Sequence, residues 1–129
     1  MVKIMLKNFI IGIIFVIFVP YKSLSAMEIT SIIGTEEKFN LWVAPLGDIH
    51  AIDYDFSVKA YSNKQASLVI PKHELILVDD DNFIVRIDTS ALGLGKIILE
   101  VTAYIPDSDF PDGLRTEIAR YTTNTTIIA

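Results

Sequence analysis

The stretch Lys96-Ile97-Ile98-Leu99-Glu100-Val101-Thr102-Ala103-Tyr104-Ile105 decides the fold class. Ile97, Leu99, Val101, Ala103 and Ile105 share one parity, and Lys96, Ile98, Glu100, Thr102 and Tyr104 share the other. A period of two belongs to a strand that buries one face. A helix needs apolar residues at 3.6-residue spacing, and nothing after Ala26 sustains that spacing for two turns.

The same alternation recurs on both sides of this stretch. Phe39, Leu41 and Val43 form one set, Phe56, Val58 and Ala60 a second, Ala66, Leu68 and Ile70 a third, and Phe83, Val85 and Ile87 another. Residues 75–78 are a short continuous apolar run, Leu114, Thr116, Ile118, Arg120 and Thr122 form a late alternating run, and residues 125–128 are read as a last run that closes the fold. Turn chemistry divides them: Pro45-Leu46-Gly47-Asp48, Asn63-Lys64 and Asp79-Asp80-Asp81-Asn82. About seven runs at this spacing predict an all-β, antiparallel sandwich. Phe56, Val58, Phe83, Val85, Ile87, Leu99, Val101 and Ala103 should lie inside it. A single helical turn is expected at Asp88-Thr89-Ser90-Ala91-Leu92-Gly93, capped by Thr89 or Ser90 and ended by Gly93.

Residues 1–26 read differently. Lys3 and Lys7 give a basic start, eleven residues from Phe9 to Val19 are apolar except for Gly12, and Pro20 ends the run. Ser23-Leu24-Ser25-Ala26 supplies small residues at a cleavage position. This is the layout of a helical signal peptide, and the run is short for a membrane-spanning helix. The expectation is a leader over 1–26, a domain over 27–129, and export to the periplasm or the outside, with membrane contact only through the uncleaved leader. The alternative is translation from Met27, which would leave the protein in the cytoplasm or in a virion.

All sixteen acidic residues follow Ala26, against eight of the eleven basic ones. So acidic a domain repels phosphate backbones, and nucleic acid is not an expected partner. Cysteine is absent, which removes thiolate metal sites, Cys nucleophiles and disulfides, and leaves the core alone to hold the fold.

Asp107-Ser108-Asp109-Phe110-Pro111-Asp112-Gly113 is the stretch closest to a metal motif. Calcium takes several carboxylate oxygens from a tight loop, so Asp107, Asp109 and Asp112 are the candidate ligands. Their spacing is not that of an EF-hand, and Pro-Asp-Gly is turn chemistry, so a connecting turn is the favoured reading and no metal or other cofactor is expected. His50 and His73 stand alone, without zinc spacing. No Gly-x-Ser-x-Gly elbow or convergent acid–base set occurs, and the domain is read as non-enzymatic. Trp42, Tyr61 and Tyr104 fall opposite the apolar faces, where aromatics serve sugar-binding or protein-binding surfaces.

From Phe39 to Ile128 the pattern resembles a known group. Its anchors are Asp53-Tyr54-Asp55-Phe56, Asp79-Asp80-Asp81-Asn82, Ile87-Asp88-Thr89-Ser90 with Leu92-Gly93-Leu94-Gly95, and Ile105-Pro106 with Phe110-Pro111-Asp112-Gly113. The chain resembles small immunoglobulin-like sandwich proteins of phages, prophages and mobile elements of gut bacteria. Some of these are similar to the N-terminal domain of phage baseplate upper proteins. The resemblance implies a structural adaptor of a phage-tail-like or cell-surface assembly, with protein partners and self-association. An exported glycan- or protein-binding module is the alternative. The leader departs from the virion pattern, because virion proteins assemble in the cytoplasm.

Overall fold

The structure is a computed structural model that describes residues 16–20, 28–63 and 66–129. Among these, nine strands carry the fold. They are β1 (Val16–Pro20), β2 (Ile29–Ile32), β3 (Glu36–Val43), β4 (Asp55–Asn63), β5 (Ala66–Pro71), β6 (Ile76–Asp79), β7 (Asn82–Asp88), β8 (Gly95–Pro106) and β9 (Leu114–Ile128). One sheet has the order β1-β3-β7-β6 and the other the order β2-β9-β8-β4-β5. The chain is all-β, and the described residues contain no α-helix.

Strict alternation makes each strand two-faced, and the apolar faces of both sheets meet in one core. Phe39, Leu41, Val43, Val85 and Ile87 come from the first sheet, and Phe56, Val58, Leu99, Val101 and Ile105 from the second. None of these is more than 1% exposed. All eight residues expected inside are buried. The Phe56 and Phe83 rings meet edge to face across the sheets, 5.1 Å between centroids.

The structure departs from the sequence reading in four places. β2 runs parallel to β9, whereas every other pair is antiparallel. No hairpin joins β2 to β9, so no tight turn imposes the antiparallel sense. Residues 125–128 continue β9 instead of forming a separate strand. The helical turn at 88–93 is a 3₁₀ turn over Thr89–Ala91, and Asp88 caps it by accepting a bond from Ser90 N; Gly93, at φ +100°, follows as expected. The fourth concerns the leader. Its described part, Val16–Pro20, is an extended edge strand paired with β3, with Val16 and Phe18 buried. Valine and isoleucine favour a strand wherever a sheet edge offers a partner. The rest of the leader reading (residues 1–15 and 21–26), Met27 and the Lys64 turn position lie outside the described residues.

One irregularity explains the buried hydroxyl of Thr123. β8 and β9 pair Lys96 with Thr126 and next Ile98 with Thr122, so β9 carries two more residues than β8 there. This bulge takes Ile97 O out of the ladder. Thr123 Oγ1 donates to that oxygen at 2.7 Å and accepts from Thr125 N at 3.2 Å.

Candidate interaction surface

The three aromatics singled out by parity do stand on outer faces, but not together. Trp42 lies half-buried on β3, beside Asn82 of β7, in the four-stranded sheet. Tyr61 and Tyr104 lie on the other sheet, Tyr61 opposite Ile98 and Tyr104 opposite Asp55. Six residues of β8 separate these two positions, about 20 Å along a strand. Tyr61 is flanked by Lys59, whose Nζ lies 5.5 Å from the ring centroid. No platform on which one sugar could rest on two of these rings arises.

The acidic loop before β9 is built as a turn. Asp107 accepts from Asp109 N at 3.0 Å, and its carboxylate pairs with Arg115. Asp112 accepts from Leu114 N at 3.1 Å, and Gly113 takes φ +76°. Arg115 Nε also lies 3.0 Å from Glu117, so one guanidinium on the inner side of β9 gathers two carboxylates. Among the described residues, no three His, Asp or Glu side chains converge as a metal site.

Apolar surface gathers instead around β6, the outermost strand of its sheet. Among the described residues only β7 pairs with it, through Ile76 to Ile84, Leu77 to Phe83 and Asp79 to Asn82. Its outer edge therefore presents backbone amides and carbonyls to solvent. Ile76, Leu77 and Val78 are 40%, 53% and 56% exposed. Beside the strand runs a shallow, open groove whose apolar wall is Ile52, Leu75, Leu77 and Phe83, with Lys72 and Asp55 at its rim.

Hydrogen bonds hold the loops beside this surface. His50 Nδ1 meets both carboxylate oxygens of Asp81 at 2.9 and 3.0 Å, while Val43 N and Ile52 N donate to Asp81 O and Asp80 O. These bonds fasten the loop after β3 to the β6–β7 turn. The Asp81 hydrogen bond raises the His50 pKa above the ordinary 6.5 against a smaller effect of burial. Lining the groove, Lys72 donates from Nζ to the carbonyls of Ala51, Ile52 and Tyr54 at 2.9, 2.9 and 2.6 Å. It also lies 5.5 Å from the Phe56 ring centroid. Burial, with Asp81 adding, pushes the Tyr54 phenol up to about 12, so it stays neutral at physiological pH.

Sequence reasoning did not single out β6 as a surface. An uninterrupted apolar run suggests burial on both faces, whereas only Leu75 of residues 75–78 is buried. The available signal was length. Four residues bounded by Pro71 and the acidic turn fit a short edge strand better than a central one. Among the described residues, no helix is long and apolar enough to cross a membrane. Comparison with protein-family models and with curated proteins finds no match.

Proposed function

We propose that this chain is a non-enzymatic β-sandwich module of a cell-surface or phage-tail-like assembly, holding protein partners, copies of itself included, through its strand edges. The observation that carries this reading is the β6 edge, unpaired among the described residues, with its three exposed aliphatic side chains. Soluble proteins usually blunt such an edge with charge, proline or a covering loop. Here charge lies only on the flanks, Lys72-His73-Glu74 before the strand and Asp79-Asp80-Asp81 at its end, while Ile76, Leu77 and Val78 between them are aliphatic and exposed. Edge pairing combines backbone hydrogen bonds, which give affinity, with side-chain burial, which gives selectivity.

The strand order supports the finer, immunoglobulin-like reading. The sheet β1-β3-β7-β6 corresponds to the A-B-E-D sheet of such folds, and β9-β8-β4 to the G-F-C sheet, with β2 as a second half of the first strand. The inter-sheet disulfide of antibody domains has no counterpart, as the chain has no cysteine. The basic start, apolar run and small-residue exit of residues 1–26 favour export and a cell-surface assembly. Translation from Met27 would favour a virion component instead.

The test is the native size of the protein in extracts of its own cell, by size-exclusion chromatography. Wild-type protein should run well above its 14.4 kDa chain mass. Leu77→Lys should shift it toward that mass, and Trp42→Ala should not. A strictly monomeric wild type whose glycan binding is lost with Trp42→Ala would replace this reading with the binding module.

A further inference from the structure

We infer that the mature domain carries an open strand slot beside β3, filled in the assembly by an extended, alternately apolar segment of another polypeptide. This rests on the export reading. β1 occupies that slot here, running antiparallel to β3 from Val16 opposite Val43 to Pro20 opposite Phe39. Phe18 is 1% exposed, and its ring lies 5.9 Å from that of Tyr121 on β9. β1 thus closes the core between the two sheets at this edge. Yet Val16–Pro20 is also the end of the apolar run of the leader, upstream of the small-residue exit at Ser23 to Ala26. Cleavage at that exit removes β1 whole, and so does translation from Met27.

The consequence is physical. Without β1, the edge of β3 over residues 39–43 loses its hydrogen-bonding partner, and Leu41, Val43 and Tyr121 lose their cover. A gap in a close-packed core, lined by large apolar side chains, is costly. The chain's own new N-terminus cannot fill it, because only Met27 and Glu28 precede β2, which is already committed to β9 in the other sheet. A second copy processed in the same way has the same short N-terminus, and its exposed β6 edge is four residues long and already held in a sheet by β7, so it cannot drop side chains into the places of Val16 and Phe18. The occupant is therefore a segment of a neighbouring component. It must be extended for five residues, antiparallel to β3, with large apolar side chains where Val16 and Phe18 now sit. This is recognition by strand addition.

The test uses the protein as its native cell exports it. Intact mass reads the N-terminus, and hydrogen exchange reads the amides of residues 39–43 while companions are still bound. Residues 16–20 should be absent, and the amides that face the slot should nonetheless be protected. Stripping the companions should speed exchange there by about tenfold or more. A synthetic peptide of residues 14–22 with added terminal lysines should restore protection, and the same peptide carrying Phe18→Asp should not. Retention of residues 16–20 overturns the proposal, because the slot then serves the chain's own strand. Protein lacking β1 overturns it too if the slot amides exchange freely in native material, or if they stay protected in a monomer without companions. The first outcome removes the export premise and the others leave it standing. None of them touches the β6 contact, which is read separately at Leu77.

Discussion

Thr89 shows how one buried hydroxyl ties distant parts of the chain. Its Oγ1 donates to Thr35 O at 2.7 Å and accepts from Gly34 N at 2.9 Å, which binds the β2–β3 turn to the end of β7. Thr89→Val keeps the shape but leaves Gly34 N without its acceptor, while Thr35 O keeps the bond from Thr89 N, so chemical denaturation should show a loss of about 1 kcal/mol. His50 supplies a second prediction at this scale. Its raised folded pKa means that the folded state holds the proton more tightly than the unfolded state. The stabilisation is fully present below 6.5 and is lost as pH rises through the raised value. Asp79 and Asp88 are held below the ordinary 3.8, Asp79 chiefly by the Asp81 amide and Asp88 chiefly by the Ser90 hydroxyl. Their contributions are present above 3.8 and fade as pH falls through the lowered values. The melting temperature should therefore fall at both ends. His50→Gln should flatten only the alkaline fall, measured between about pH 6 and pH 8. The sequence did not point to these contacts, because a hydroxyl or imidazole finds its partner only after distant strands have been placed. Thr89 and Thr35 are 54 residues apart, and His50 and Asp81 are 31 apart.

At the scale of the element, the strands with one buried face were legible and the edges were not. β4, β7 and β8 declare their inner faces by alternation, since one side of each must be apolar. β6 carries no alternation, and its place at an edge follows from strand order, which a single sequence does not encode locally. β1 is a sharper case, because the same five residues satisfy the rules of a leader and of a strand. Parity placed the aromatic candidates on outer faces but could not say whether they share a surface, since it assigns a side of a sheet and not which sheet. β6 also gives a prediction. Ile76, Leu77 and Val78 touch little of the core, so Leu77→Lys should change stability by no more than about 0.5 kcal/mol. The same substitution should weaken association, which separates a surface role from a folding role.

For the whole molecule, a domain without disulfides or described metal ligands depends on its two facing sheets. Leu99 is fully buried at the centre of β8, between Ala60 of β4 and Tyr121 of β9. Leu99→Ala should cost about 2–5 kcal/mol and lower the melting temperature without changing the all-β circular dichroism spectrum of the folded protein. Charge acts at this scale as well. An excess of acids favours solubility, and the apolar β6 edge stands out against it. Site-specific photo-cross-linking in the native cell tests the assembly reading most directly. A photoreactive residue is placed at Leu77 on the β6 edge, and as a control at Thr102 on the outer face of β8. An assembly module should give a discrete protein adduct from position 77 and little from position 102. No adduct at 77, or equal adducts from both positions, would contradict it.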